Sequence, residues 1–274
     1  MGNVTHEPVA TVGIVGLGAM GGPMAEFIAR GGFRVLAYDT AEAPLPAGVE
    51  PAAQLADLAP CEAVFVVVPT EHDVEEVVLG ARGLVGVLAP GAIVLVSSSV
   101  TPDAMRRLAD PLRLRGIGLL DAALTGGVRG AVSGQLNLLL GGDADLVGRM
   151  LPVFDTFCIG HHLLGDLGAG QVAKAANNLI HWAQIIAFDE AFRLAKRFGV
   201  DPEHLRTALR QSPTDSRGMR ELEEMRFTWY AKDLEGVFSL AATSGIDVPV
   251  ARLCRQKMDS ITVASMRAVL HGDA

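Results

Sequence analysis

Clusters of lysine and arginine are missing from this 274-residue sequence, whose 23 basic side chains are outnumbered by 31 acidic ones for a formal charge of −8. A surface for nucleic acid needs such clusters, and aromatic residues that could stack on bases are scarce as well, at 5%. The composition therefore argues against a nucleic-acid partner and for small-molecule ligands. Cysteine is equally sparse: Cys61, Cys158 and Cys254 are odd in number, widely spaced, and lack both CxxC spacing and histidine at ligand spacing. Neither a disulfide framework nor a metal site is expected, and a reducing, cytoplasmic setting fits. No apolar run approaches the length of a membrane span, and the start MGNVTHEPVA has no basic stretch followed by an apolar one. No membrane partner is expected. What the chain does have is apolar side chains, half of the total, enough for a substantial core.

Those apolar residues are patterned. TVGIVG, FRVLAYD, AVFVVVP, AIVLVSS and GIGLLDAAL are near-continuous apolar runs, as expected of parallel strands covered on both faces. Between them AMGGPMAEFIARGG, AAQLADLAP, DVEEVVLGARGLVGVL and TPDAMRRLADPLRLRG read as helices ended by Gly or Pro. The alternation predicts an α/β fold, a doubly wound Rossmann-type parallel sheet over residues 11–164 after a loose start at 1–10. From Gly165 the strand pattern stops, and GAGQVAKAANNLIHWAQIIAFDEAFRLAKRFG predicts one helix of about 29 residues. DPEHLRTALRQ, RGMRELEEMRFT, YAKDLEGVFSLAATSG and VPVARLCRQKMDSITVASMRAVLHG each read as helical, the first with Asp201 as N-cap and Pro202 at the first helical position. Residues 165–274 are thus expected to form an all-helical second domain.

The stretch TVGIVGLGAMGGPMAEFIARGGFRVLAYD sets Gly16, Gly18 and Gly21 between a strand and a helix. In that context the first glycine permits a tight turn, the second lets backbone approach a pyrophosphate, and the third lets helix and strand pack closely. The helix N-terminus adds N–H donors and a positive dipole end for the phosphates. Asp39 follows Gly21 by 18 residues at the end of the second strand, where a carboxylate can accept from ribose hydroxyls. A glycine-rich turn without a ligand would not need that acid at that distance, so a dinucleotide site is expected. Asp39 would repel a 2′-phosphate and YDTAEAP has no Arg or Lys to receive one, which predicts NAD in preference to NADP.

Four stretches in register, GLGAMGGPMA (16–25), SSVTP (98–102), DAALTGGVRGAVSGQLNLLLGG (121–142) and GAGQVAKAANN (168–178), resemble the signature segments of the β-hydroxyacid dehydrogenase family, the group of 3-hydroxyisobutyrate and 6-phosphogluconate dehydrogenases. VPTEHDVEEVVLGARG (68–83) and YAKDL (230–234) are similar to two further family segments. The resemblance covers nearly the whole chain and implies a catalytic lysine at Lys174 with Asn178 as its partner; positions i and i+4 share a helix face. It implies that Thr125, Gly126 and Gly127 hold a substrate carboxylate, Thr125 standing for the family's Ser and Ala123 for its Pro. It further implies cofactor contacts from Gly16, Leu17, Gly18, Ala19, Met20, Gly21, Asp39, Thr40, Val68, Pro69, Ser99 and Lys232. For Lys174 the bland alternative is a solvated helix residue; for Ser99, a cap; for Lys232, a surface lysine.

Other polar residues carry less. His181 and Trp182 either line the substrate pocket or form a packing histidine beside a core tryptophan, and Arg129 either meets a second anionic group or is solvated. Asn177 reads as structural, His161 and His162 sit at a strand end without signal, and RELEEMR reads as a solvated face. The expected function is an NAD-dependent oxidoreductase acting on a small β-hydroxy acid, with Lys174 managing the proton. The alternatives are an imine or semialdehyde reductase on the same scaffold, whose known members usually lack this lysine, and a non-catalytic NAD(H) sensor. The long helix predicted in the segment after Gly165 is apolar nearly all round, through Val172, Ala176, Leu179, Ile180, Ala183, Ile186 and Ala187. It must be covered on every side, and with the family resemblance this predicts a homodimer or dimer of dimers.

Overall fold

A computed structural model describes residues 9–272. Its first unit, up to Lys174, alternates strands and helices: β1 (Thr11–Val15), α1 (Gly21–Arg30), β2 (Arg34–Tyr38), β3 (Val49–Pro51), β4 (Ala63–Val66), α2 (Glu71–Leu79), α3 (Leu84–Val87), β5 (Ile93–Val96), α4 (Pro102–Leu114), β6 (Gly118–Thr125), α5 (Gly127–Val132), β7 (Leu136–Gly142), α6 (Ala144–Phe154) and β8 (Cys158–Leu163). The helix α7 (Ala169–Arg197) carries the chain out of this unit, and α8 (Pro202–Leu209), α9 (Arg217–Arg220), α10 (Tyr230–Ser244), α11 (Pro249–Lys257) and α12 (Val263–His271) follow.

The strands form one sheet in the order β3-β2-β1-β4-β5-β6-β7-β8. Every neighbouring pair is parallel except β6 with β7. Strand order reverses between β1 and β4, and the crevice beyond the carboxyl ends of the strands at such a switch point is where α/β folds bind ligands. Period-2 alternation explains the unbroken apolar runs. Ile14, Phe65 and Leu95 face one core with Phe154 and Phe157, whereas Val15, Val64, Val66, Val94 and Val96 face another with Met105 and Leu108. Phe65, Phe154 and Phe157 meet edge to face with centroids 5.7–6.4 Å apart. Each such ring, fully buried, contributes roughly 1.5–3 kcal/mol.

Several elements differ from the sequence reading. AAQLADLAP makes only a single 3-10 turn at Leu55–Leu58, closed by reciprocal Gln54 and Asp57 bonds. The helix expected from Asp73 to Leu88 breaks at Gly80, whose ψ of 166° is extended, and resumes as α3. Strands β3 and β7 and helices α5 and α6 were not expected. The helix expected from Arg217 stops after four residues, because the buried Arg206 takes the carbonyls of Met219 and Arg220 at 3.1 and 3.0 Å. The last expected helix divides at a turn over Met258–Ser260 and restarts with a Thr262 and Ser265 capping box.

The second unit begins at Ala175. Its core gathers Trp182, Ile185, Phe188 and Phe192 of α7 with Met219, Leu222, Leu234, Cys254 and Met266. Asp201 caps α8 through the His204 N–H at 2.8 Å, with Pro202 at the first helical position. The expected burial of α7 on every side is not met within this chain, since Val172, Ile180 and Leu194 are 46–63% exposed.

Candidate active site

The glycine loop follows directly from β1. Gly16 has φ +98° and its N–H donates to Tyr38 O at 2.8 Å, while a Cβ there would lie 2.3 Å from Val67 O. A Cβ on Gly21 would lie 1.9 Å from Gly16 O, so these two glycines are needed by the fold itself. Gly18 differs: it is exposed, and nothing lies within 4 Å of a Cβ built on it. The middle glycine therefore keeps open space over the start of α1, whose N-cap Met20 makes no side-chain bond to the helix and whose first turn has no acid. A positive dipole end and an unfilled surface over Gly18 fit a bound pyrophosphate. Asp39, at the end of β2, accepts from Leu17 N at 2.6 Å and from Ala41 N at 2.9 Å. Leu17 and Met20 are half-buried, and Ala19 and Thr40 exposed, around the same loop.

Two more loops end at this edge of the sheet. Ser98 Oγ accepts from Val68 N and donates to Val68 O, both at 2.8 Å, locking the chain after β5 to the chain after β4. Val68 is half-buried and Pro69 exposed there, and Ser99 is half-buried beside the lock. Thr101 caps α4 through Ala104 N at 3.1 Å, and its own N–H donates to Glu71 at 2.8 Å.

Thr125 closes β6 opposite Asn137 of β7. Gly126 at φ +109° and Gly127 at φ +62° then turn the chain into α5, a left-handed pair that side chains rarely adopt. Thr125 is half-buried, Gly127 is exposed, and a Cβ on Gly127 would meet nothing within 4 Å. Four residues earlier on the same face of β6, Asp121 is fully buried. Its carboxylate accepts from Gly168 N at 2.8 Å and Gln171 N at 3.0 Å, at the start of α7. Burial pushes the Asp121 carboxyl above its ordinary range, against the lowering effect of those backbone donors. Gln171 is buried too; its amide accepts from Val100 N at 3.1 Å and donates to Ser98 O at 3.0 Å. Lys174 follows Gln171 by one turn and is half-buried.

The first unit thus brings the glycine loop, Asp39, Val68, Pro69, Ser99, Thr125, Gly126 and Gly127 to the carboxyl edge of its sheet, and Lys174 lies on α7 one turn beyond the Gln171 that is bonded to the Ser98–Val100 loop. Asn178 stands one turn beyond Lys174 on α7 and is buried, with Asn177 exposed beside it. Lys232 is exposed in the first turn of α10, in the second unit. Trp182 is a core residue, 2% exposed, with its indole N–H on Asp233 at 3.1 Å, and His181 packs on it edge-on at 4.8 Å. The packing reading therefore holds for the tryptophan. Arg129 is exposed on α5.

Sequence reasoning missed Ser98, Asp121 and Gln171. Only Asp121 left a signal, a charge inside the apolar run LLDAAL that a buried strand would not carry without partners. Cys61 is buried, which pushes its thiol up to about 12 and removes it as a nucleophile. No group of three metal-ligating side chains occurs among the described residues, and none of their helices is long and apolar enough to cross a membrane.

Comparison with known proteins gives the family. Residues 11–165 match the family model described as the NAD binding domain of 6-phosphogluconate dehydrogenase. Residues 168–269 match that described as NAD-binding of NADP-dependent 3-hydroxyisobutyrate dehydrogenase. The chain is 36% identical over 206 residues to 3-hydroxyisobutyrate dehydrogenase of Pseudomonas aeruginosa, covering 73% of this chain and 69% of that one. It is 31% identical over 263 residues, 89% of each chain, to 2-hydroxy-3-oxopropionate reductase of Escherichia coli. Its fold matches that of the Mycobacterium tuberculosis 3-hydroxyisobutyrate dehydrogenase solved with L-serine, at a TM-score of 0.82 and 23% identity over 96% of this chain and 98% of that one. With the two family models spanning residues 11–165 and 168–269, the chain belongs to the β-hydroxyacid dehydrogenase family of NAD(P)-dependent oxidoreductases acting on CH–OH groups.

Proposed function

We propose that this protein is an NAD-dependent dehydrogenase of a small β-hydroxy acid resembling 3-hydroxyisobutyrate, or a reductase of the matching oxo or semialdehyde form. The observation that carries the reading is Asp121. Through it the strand that ends in Thr125 also holds the start of the helix that bears Lys174, so a carboxylate holder and a proton carrier are built on one support. Residues 11–164 would be the dinucleotide-binding domain and 165–274 the substrate and dimerisation domain.

Bound over Gly18 and the α1 N-terminus, with Asp39 and Thr40 at its adenosine ribose, the dinucleotide supplies hydride exchange at its nicotinamide. Leu17, Ala19, Met20, Val68, Pro69, Ser99 and Lys232 would complete its contacts. The Thr125 hydroxyl and the Gly126 and Gly127 amides would orient the substrate carboxylate. Lys174 would then take the proton from the substrate hydroxyl oxygen during oxidation, and return it to the carbonyl oxygen during reduction. Asn178, one turn along the same helix, would hold the substrate or the ammonium in line. The preference for NAD rests on Asp39 and on the lack of a basic residue from Thr40 to Pro46. The exposed ridge of α7 favours a homodimer or dimer of dimers, and the low cysteine count a cytoplasmic site.

Lys174→Ala tests the reading, since alanine keeps helix propensity. Turnover on a hydroxy-acid panel should fall by about 10²–10⁴-fold, the worth of a positioned acid–base group. NADH binding by fluorescence titration should persist. Lys174→Arg should not restore turnover, because a guanidinium holds its proton. Normal turnover in Lys174→Ala would remove the lysine as proton carrier, while NADH binding by the unmutated protein with no turnover on any acid would leave the imine or semialdehyde reductase, or the sensor.

A further inference from the structure

The buried cluster beneath the start of α7 is not explained by folding alone. A carboxylate that is fully buried loses its hydration and needs donors in return. Asp121 finds them in the Gly168 and Gln171 N–H groups at 2.8 and 3.0 Å, where the unpaired amides and positive dipole end of α7 lie. The fit around it is close on every side. A Cβ on Gly141 would fall 2.5 Å from one carboxylate oxygen, and a Cβ on Gly170 would fall 2.6 Å from the other and 2.4 Å from Leu139 O. Gly168 holds φ +99° to bring its N–H onto the acid. Gln171 extends the same support outward, its amide joined to both Ser98 O and Val100 N on the loop that carries Ser99.

We propose that Asp121 and Gln171 are positioning residues. Together they hold the first turn of α7 and the loop after β5 in a single register, so that Lys174 stands at a constant height over the sheet edge where Ser99 and Thr125 lie. This rests on the proton-carrying role of Lys174 and extends it. The clamp is rigid because each partner is determined twice: Asp121 by two N–H donors, Gln171 by one donor and one acceptor. An ångström of slippage in α7 would leave the fold and the glycine loop intact and still misplace the ammonium, since reactive geometry is far less tolerant than packing.

The experiment compares Asp121→Asn and Gln171→Met with the unmutated protein, measuring kcat, KM for the acid, NADH affinity and thermal stability. Asparagine matches the shape but turns an NH2 group toward one of the two N–H donors, and methionine keeps the length of Gln171 but neither bond. Each variant should lower kcat by about 10–100-fold, the cost of a small misplacement of a reacting group. NADH affinity should fall by clearly less than kcat, since the clamp reaches the cofactor loops only through the Ser98–Val100 segment, while Asp39 is bonded to the glycine loop independently of it. In a Lys174→Ala background, single-turnover rates should fall less than about twofold further when Asp121→Asn is added, because residues acting as one unit are not additive. Unchanged kcat in both variants, parallel loss of kcat and NADH affinity, or a multiplicative loss in the double variant would each overturn the proposal. If Asp121→Asn does not fold, Gln171→Met decides. Normal turnover in Lys174→Ala alone would instead remove the role of the lysine, and the clamp with it; lost turnover there with normal Gln171→Met would remove only the clamp.

Discussion

The carboxylate of Asp39 accepts a hydrogen bond from the Leu17 N–H at 2.6 Å, tying the end of β2 to the glycine loop after β1. Its second oxygen takes Ala41 N, so the acid proposed to hold the ribose also shapes the loop. Asp39→Asn combined with Thr40→Arg should move the ratio of kcat/KM toward NADP by about tenfold or more, the worth of one charge-assisted bond gained or lost. The gain should come with weaker binding of both cofactors, because Leu17 N loses a charged acceptor. Equal efficiency with NAD and NADP before mutation would contradict the assignment of Asp39.

Gly18 and Gly21 should respond oppositely to alanine. Gly21→Ala places a methyl 1.9 Å from Gly16 O, and a clash with backbone should cost about 1–3 kcal/mol of stability. Gly18→Ala meets open space and should leave the melting temperature nearly unchanged while weakening NADH binding severalfold. Calorimetry and a fluorescence titration on both variants check this; undiminished NADH affinity in Gly18→Ala would put the pyrophosphate elsewhere.

Thr125→Val keeps the shape of the β6 terminus and removes one hydroxyl. If that hydroxyl holds a carboxylate, KM for the acid should rise by the equivalent of about 1.5–3 kcal/mol with cofactor affinity unaffected. Steady-state kinetics with a charged acid and its uncharged amide separate the outcomes, since only the acid should suffer.

The second unit carries a pH dependence of its own. Burial alone would raise the Glu223 carboxyl, but hydrogen bonds from His271 at 2.7 Å and Arg206 at 2.9 Å outweigh it and hold it below the ordinary glutamate range. A carboxyl lowered in the folded state adds stability above its unfolded pKa and loses it as pH falls through the folded one. The melting temperature of the unmutated protein should therefore exceed that of Glu223→Gln at neutral pH, and the gap should close on acidification below the usual carboxylate range. A gap that is constant with pH would mean that packing, not charge, explains Glu223.

Along α7, Val172, Ile180 and Leu194 keep an apolar ridge exposed, Leu194 at 63%. Such a ridge favours burial against a second copy. Light scattering at micromolar concentration should give at least a dimer, and Ile180→Glu should shift it toward monomer. A monomeric mass for the unmutated protein would contradict the oligomer.

Much of this architecture was legible because its determinants are local. Three glycines, an acid 18 residues on and unbroken apolar strands state a doubly wound sheet, since turn geometry and strand periodicity act over a few residues. The 29-residue α7 was equally plain, as was the Asp201–Pro202 start of α8. Lys174, Thr125, Gly126 and Gly127 came from motif order, but their support did not. Asp121 meets Gly168 across 47 residues and Gln171 meets Ser98 across 73. Pairs so far apart leave no periodicity, and only a closed sheet decides which buried donor faces which acceptor. Tertiary contact also set where elements stop: Arg206 ends α9 by taking its carbonyls, and β7 exists because Leu136–Gly142 found β6 and β8. The sequence by itself determined the cradle, the lysine and the alternation, whose energies are local; the register of α7 against the sheet was decided by long-range hydrogen bonds that exist only once the chain has folded.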